Sequence, residues 1–411
     1  MKIGYACIPM GINAKTTRSF IIRNFTYDRF YTCVKENLSD LEKILKYNID
    51  NKIYMFRISS DIIPFGSHEI NDIDWWNIFN EELSNIGKYI GNNDIRVSMH
   101  PGQYTVLNSL SEDIVNRSIK DIEYHTMFLD SLGVNYSNKI VLHMGGAYGD
   151  KKLSMERFKN NFKRLSTSAQ KRLVLENDER IFNIDEVIMI CESINIPTVF
   201  DNLHNKFNPG ANDDINIILK NVAKTWKKED GNIKIHYSDG DESKKHGAHS
   251  QHVNTENFIN YYNKVKNFPV DIMLEVKDKE LSAIKCINSL NLSDKSSLRY
   301  EQWAKYKYSV MEKDYSLYKE CSKIINSSRP LVDFYKTVDR SLSLPYNKDN
   351  FKNTIYHTWG YLKDKVSDKE KDSFFKVFEE FKDLQKAKNL IQRLCKKYNV
   401  EYLLQSYYFI I

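Results

Sequence analysis

Two rhythms of apolar residues alternate through about residue 290. The first is short and β-like, seen at Lys2–Cys7, Ile53–Ser60, Ile95–His100, Lys139–Met144, Arg172–Glu176, Thr198–Asn202, Ile233–Tyr237 and Asp271–Val276. The second has helical spacing, as in Phe30-Val34-Leu38-Leu41-Leu45, Ile114-Ile119-Ile122-Met127-Leu129 and Val253-Phe258-Ile259-Tyr262-Val265. Ser111, Ser154 and Asn183 precede acidic residues and are expected helix caps. Eight β runs in β–α alternation predict a (β/α)₈ TIM barrel. An open doubly wound sheet would begin on a glycine-rich turn, and Gly4-Tyr5-Ala6-Cys7-Ile8 lacks the G-x-G-x-x-G spacing.

From about Ser293 the pattern becomes helical. Leu298 to Ile325 reads as one long amphipathic helix, Arg329-Pro330 and Leu344-Pro345 punctuate a turn region, and Ser367 to Tyr398 is helical again. Only the terminal Tyr407–Ile411 is β-like. The expected organisation is a barrel over 1–292 and an all-helical C-terminal extension over 293–411.

Composition adds little and excludes several classes. At 41% hydrophobic and 28% charged residues the chain is a soluble, folded protein. No apolar run can span a bilayer, and Met1–Pro9 reads as a first strand instead of a signal peptide. The six cysteines are scattered without a C-x-x-C pair, which disfavours a disulfide framework or zinc knuckle and fits a reducing cytoplasm. A net charge of +6 permits a polyanionic partner without demanding one. No nucleotide cofactor, no membrane and a monomeric state are expected.

Chemistry gathers at the strand ends. Arg96–Ser109 is a β-rich run stopped by His100-Pro101-Gly102, with Gln103 and Tyr104 on the loop beyond it. The later runs end in His143, in Glu176, in Asp201 with His204, in Lys234 and His236, and in Glu275 with Lys277; His249 follows the seventh. Any one of these can be an ordinary hydrogen-bonded residue. As a set at one end of consecutive strands, they sit where barrel active sites are built. Converging imidazoles and carboxylates without a metal would cost several kcal/mol in desolvation and repulsion. Mixed His, Asp and Glu ligands suit Mn²⁺, Zn²⁺ or Fe²⁺, and there are enough of them for two or three ions. Such clusters serve phosphodiester hydrolysis, and also sugar isomerisation.

Read in order, Gly4-Tyr5-Ala6, Phe56–Ser60, Pro64–His68, His100–Tyr104, Leu142-His143, Leu175–Asp178, Phe200–His204, Lys234–Ser238, Gly247–His249 and Leu274–Glu280 resemble the UV damage endonuclease family. The likeness runs from Lys2 to about Leu292, with Trp303–Tyr308 also similar; Val276 is a small departure that touches no proposed ligand. The resemblance implies an endonuclease IV-like barrel holding up to three divalent ions, typically manganese. It implies nicking of damaged double-stranded DNA immediately 5′ to UV photoproducts, leaving a 3′-hydroxyl and a 5′-phosphate. Carried over by position, the metal ligands would be His100, His143, Glu176, Asp201, His204, His236, His249 and Glu275. The catalytic set would be Glu176, Glu275, His236, Lys234 and Lys277, with Lys234 open to carboxylation. Gln103 and Tyr104 would probe the lesion, Tyr5 would lie near the flipped bases, and His68 matches another site position. Extruding a poorly stacked dinucleotide costs less than extruding normal bases, so this division of labour is physically sound.

Asn353–Lys363 and Lys397–Leu404 resemble an uncharacterised small helical domain of other bacterial proteins, which implies no activity; His357 is expected to be structural. A cytoplasmic bacterial protein that meets the nucleoid when acting is expected. The rival readings are an abasic-site endonuclease of the endonuclease IV type, a sugar isomerase, and a non-catalytic DNA-damage binding protein.

Overall fold

Each of the eight predicted runs forms a strand: β1 (Ile3–Ala6), β2 (Met55–Arg57), β3 (Arg96–Met99), β4 (Lys139–His143), β5 (Leu173–Glu176), β6 (Thr198–Asp201), β7 (Ile233–Tyr237) and β8 (Val270–Leu274). In this computed structural model, which describes residues 1–241, 244, 247–290, 296–380 and 384–411, all neighbouring strands pair in parallel. β1 also pairs with β8, and the sheet closes as a TIM barrel. These strands are buried on both faces, as in other parallel barrels, and Leu173–Glu176 is accordingly apolar up to its last residue. Gly4 is required by the β1–β2 pairing: a Cβ there would meet the Met55 carbonyl oxygen at 2.0 Å.

Local chemistry sets the helix starts. Thr26 caps the helix Tyr27–Asp50 by accepting from the Arg29 amide, and that helix buries Phe30, Val34, Leu38, Leu41 and Leu45 as its spacing predicts. Asn183 and Glu186 form a reciprocal capping box on Ile184–Ile194. Ser111 does stand at the start of Glu112–Ser131, but its side chain makes no capping bond. Ser154 is not a cap. Asp150 starts that helix earlier by accepting from the Leu153 amide, and Ser154 is buried inside it, donating to the Gly146 carbonyl.

At the N-terminal end of the barrel, charged residues at or beside the starts of strands are buried, among them Arg96, Lys139, Arg172 and Asp271. Arg96 Nη1 donates to Asp271 Oδ2 at 2.9 Å and to the Asn232 carbonyl, while Lys139 Nζ meets Asp230 Oδ1 at 2.5 Å. Arg172 donates to the Val134, Asn135 and Asn138 carbonyls. These groups bind the loops at that end to one another, opposite the end where barrel enzymes carry their chemistry.

The chain divides into two compact units, 1–253 with 260–287, and 254–259 with 288–411. The second is helical: Ser296–Lys313, Tyr315–Ile325, Leu331–Leu342, Lys348–Trp359, Asp368–Glu380 and Leu384–Lys397, then the short Glu401–Leu404. The single long helix expected from Leu298 to Ile325 is broken at Asp314. Its carboxylate accepts from the Leu317 amide and starts a new helix. The β-like Tyr407–Ile411 is a 3₁₀ turn whose Tyr407 and Tyr408 are buried, so its apolar run reflects packing and not a strand. The core of this unit includes Phe351, Ile355, Trp359, Phe374, Phe378, Ile391 and Leu394, with Trp359 and Phe374 stacked at 3.9 Å. Among the described residues, no helix is long and apolar enough to cross a membrane.

Candidate metal centre

Parallel register brings the strand ends together. His143 on β4 lies opposite Glu176 on β5, and Asp201 on β6 lies opposite His236 on β7. His100 follows β3 and Glu275 follows β8 directly. Asp201 also caps the short helix Asn202–Phe207 through the His204 amide at 2.7 Å, which turns His204 back over the strand end. Three groups able to hold an ion result: His100 with His143 and Glu176; Glu176 with Asp201 and His204; Glu176 with His236 and Glu275.

Glu176 is the common vertex. Its Oε2 faces His100 Nε2 at 3.4 Å and His143 Nε2 at 3.8 Å. Its Oε1 lies 2.9 Å from His236 Nδ1 and 3.4 Å from His204 Nδ1. Seven of the eight predicted ligands therefore fall in the three groups. The eighth, His249, joins at the edge, with Nε2 3.3 Å from Glu275 Oε2.

Neighbouring backbone fixes the rings. His100 Nδ1 and His204 Nδ1 each lie 2.9 Å from a carbonyl, of Pro101 and Asn177 respectively. For His100 that pairing puts the proton on Nδ1 and leaves Nε2, the atom facing Glu176, its lone pair. Asn177 holds β5 to β6, accepting from the Asp201 amide and donating to its carbonyl.

The electrostatics are those of a crowded, dry cluster. Burial would raise the Glu176 carboxyl, but His236 and His143 overcome it and hold it well below the usual carboxylate range. Burial pushes Asp201 up to about 7, with Glu176 and Glu275 adding repulsion. His204, despite burial, is raised to about 11 by Asp201 and Glu176. Burial lowers His236 to about 4 and also lowers His143 and His249. Burial opposes ionisation of Glu275 as well, yet Arg57 and His236 keep it low. Several buried polar atoms lack partners, namely Glu176 Oε2, Asp201 Oδ2, His143 Nδ1 and His249 Nδ1. Mixed imidazole and carboxylate donors, orphaned and converging, fit divalent cations.

The remaining predicted residues divide. Lys234, on the same strand as His236, is fully buried inside the barrel and donates to Ser98 Oγ at 2.5 Å; burial, with Arg57 and Arg96 nearby, depresses its ammonium strongly. Gln103 and Tyr104 sit on the exposed loop after β3, Tyr104 with 83% of its surface free. They line a cleft of about 690 Å³ with Ser67, Arg117 and Tyr148. His68 is exposed on the loop after β2, its Nδ1 accepting from the Ile70 amide. Lys277 was expected on the strand face of Glu275, but β8 ends at Leu274 and the alternation ends with it. Its ammonium lies instead 3.0 Å from the side-chain oxygen of Gln251, which Lys244 shares at 3.1 Å. Tyr5 is a correction. It is completely buried, its hydroxyl donating to Asn48 Oδ1 at 2.9 Å, so it packs the barrel instead of standing exposed at the site.

Two contributors had no role assigned from sequence. Arg57, the last residue of β2, donates from Nη2 to Glu275 Oε1 and lies 3.2 Å from His236 Nε2. Ser60 donates to the His100 carbonyl and touches His125 Nε2, both at 2.8 Å, so a second buried histidine props the first. A strand-end arginine beside predicted carboxylates was a readable signal for Arg57; the Ser60–His125 contact, long-range in sequence, was not.

Residues 1–304 match the family described as UV-endonuclease UvdE, and residues 307–411 match a protein family of unknown function, DUF1722. The UV DNA damage endonuclease of Clostridium perfringens (strain 13 / Type A) is 49% identical over 413 residues, covering 99% of each chain. That of Bacillus cereus (strain B4264) is 33% identical over 288 residues, covering 69% of this chain and 90% of its own. The crystal structure of SacUVDE superposes with a TM-score of 0.67 at 38% identity, over 71% of this chain and 98% of that one. With the strand-end cluster in a closed eight-stranded barrel, these matches identify the chain as a member of the UV-endonuclease UvdE family.

Proposed function

We propose that this chain is a metal-dependent DNA repair endonuclease that nicks duplex DNA immediately 5′ to UV photoproducts, leaving a 3′-hydroxyl and a 5′-phosphate. The observation that carries the reading is the sharing of Glu176 by three ligand groups at the catalytic end of the barrel. Relatives named as UV DNA damage endonucleases give the substrate class. We assign the chemistry to residues 1–292, acting as a monomer, and leave 293–411 outside the chemical step.

His100, His143, Glu176, Asp201, His204, His236, His249 and Glu275 would hold two or three divalent ions, of which Mn²⁺ suits the donor set. Such ions, when bound, generate a nucleophile from water at neutral pH and neutralise the leaving oxygen. The chain's own groups do the rest. Arg57 holds Glu275 and His236 at fixed angles. Lys234, whose ammonium is disfavoured in its dry setting, is poised as a neutral amine, the form that carboxylation requires. Addition of CO₂ to that amine, with loss of a proton, would place an anionic carbamate beside the ligands. Lys277 and Lys244 offer cations to a phosphate backbone, which predicts strongly salt-dependent binding. Tyr104, an exposed ring at a loop tip with Gln103 beside it, can enter the gap left by a flipped dinucleotide.

The test is incision of a labelled duplex carrying one thymine dimer, with Mn²⁺, with EDTA, and with Glu275→Gln. A cut directly 5′ to the dimer, lost with EDTA and in the variant, is the expected result. Cleavage of an abasic duplex alone would transfer the assignment to abasic-site repair, and aldose–ketose conversion would transfer it to sugar chemistry. Tight binding to the dimer without any nick would leave a damage-binding protein.

A further inference from the structure

The chain's charge is unevenly distributed. Residues 288–411 carry 23 lysines and arginines against 16 aspartates and glutamates, a net of +7, more than the +6 of the whole chain. Residues 1–287 are therefore close to neutral, and the excess lies wholly in the helical unit.

That unit also exposes aromatic rings. Tyr315, Tyr361 and Tyr402 are 41%, 38% and 39% exposed. They belong to one continuous cluster. Tyr361 and Tyr402 stack at 5.5 Å with planes 19° apart, and Tyr315 stacks on Tyr318 at 5.4 Å and 9°. The Tyr308 hydroxyl donates to that of Tyr361 at 3.1 Å, and Tyr318 packs against the core cluster to which Tyr308 belongs. Ammonium groups are set among the rings: Lys307 Nζ is 4.9 Å from the Tyr402 ring centre and 4.6 Å from that of Tyr308, and Lys319 Nζ is 5.4 Å from that of Tyr315.

Core packing does not account for this arrangement. Tyr308 belongs to the apolar core of the unit and Tyr318 packs against it, whereas Tyr315, Tyr361 and Tyr402 stand at its surface. Exposed faces interleaved with cations match one polyanion in particular. A duplex hides its base faces, so a phosphate track alone would serve it; stacking rings are useful only where bases are unpaired.

We propose that the cluster of Tyr315, Tyr361 and Tyr402 with Lys307 and Lys319 is a binding surface for single-stranded DNA, its rings stacking on unpaired bases and its lysines meeting phosphates. The inference rests on the nicking activity proposed above only for its source of substrate. A nick beside a distorted lesion leaves a weakly paired strand end, which such a surface would hold.

The test uses the full chain in EDTA, so that nothing is cut, and the anisotropy of a short labelled thymidylate strand and of an abasic strand of equal length. Tyr361→Ala/Tyr402→Ala should weaken thymidylate binding about tenfold or more, since each base–ring stack is worth about 1–3 kcal/mol and about 1.4 kcal/mol is a factor of ten. Tyr361→Phe/Tyr402→Phe, which keeps the faces, should bind as the parent does. The abasic strand should bind weakly and respond to neither pair. Should the alanine pair melt early, Tyr315→Ala gives the same reading with a several-fold loss. Undiminished thymidylate binding by a folded alanine variant overturns the inference, and so does an equal loss for the abasic strand or a loss in the phenylalanine pair. Dimer-duplex incision is measured on the same preparations. Normal strand binding without incision refutes only the proposed function, and normal incision without strand binding refutes only this surface.

Discussion

Replacing Arg57 by Met tests whether the strand-end cluster is built for cations. Methionine keeps much of the stem and removes the guanidinium, whose Nη2 donates to Glu275 Oε1 and meets His236 Nε2. Hydrogen bonds to charged groups contribute about 1.5–3 kcal/mol each, and breaking a buried ion pair costs about 3–5 kcal/mol. Against this, Arg57 is itself buried and its Nε has no partner, so its removal relieves part of its own desolvation. A net loss of about 3 kcal/mol is expected in EDTA, or about 6 °C in melting temperature at about 2 °C per kcal/mol for a barrel of this size. Divalent ions change the sum, because an ion on Glu275 supplies the charge that Arg57 removed. In saturating Mn²⁺ the loss should shrink to about 1 kcal/mol, the difference appearing as a larger stabilisation of the variant by metal. Scanning calorimetry of both proteins in EDTA and in Mn²⁺ measures all four values. Equal destabilisation in the two conditions would refute the claim that Glu275 faces a bound cation.

Glu176→Gln should abolish incision and lower the metal content at every position, read by elemental analysis of the purified protein, because all three ligand groups use that carboxylate. Tyr104→Ala should leave metal content and melting unchanged while reducing the preference for dimer over intact duplex about tenfold, the scale of one lost stacking contact. Asp271→Asn should destabilise the fold by about 3–5 kcal/mol in urea melts, stranding the buried Arg96 cation, without changing the turnover of the folded fraction. In the helical unit, hydrogen bonds from Lys397 and Tyr398 lower the Glu370 carboxyl to about 2. A depressed carboxyl contributes stability that is full above its unfolded pKa and fades as pH falls. The gap between the parent and Glu370→Gln in chemical melts should therefore be complete at neutral pH and close between about pH 4 and the folded value.

The barrel was legible because eight short β-like runs alternate with segments of helical spacing, and each of those runs forms a strand. The candidate ligand residues stood at or just beyond the strand ends, which parallel register brings together. Side-chain direction was not legible. Tyr5 lies on a strand of the barrel, yet Asn48 of the first helix holds its hydroxyl away from the site. Lys277 was assigned a strand face beyond the point where the strand stops. Ser154 looked like a cap because it preceded acidic residues, but Asp150 had already begun the helix. The break at Asp314 was hidden by continuous amphipathic spacing on both sides of it, and only the capping bond to Leu317 reveals it.

Glu176 has a consequence for how such a centre can change over time. Its two oxygens divide between four histidines, so no ligand group can be tuned by altering this residue without disturbing the other two. Shortening it to Asp would draw the anionic charge away from every group at once. His249, which meets the cluster at Glu275 and not at Glu176's carboxylate oxygens in the three ligand groups, is less encumbered. Adaptation to a different metal supply would then proceed from the edge of the cluster inward, with Glu176 the last position to vary.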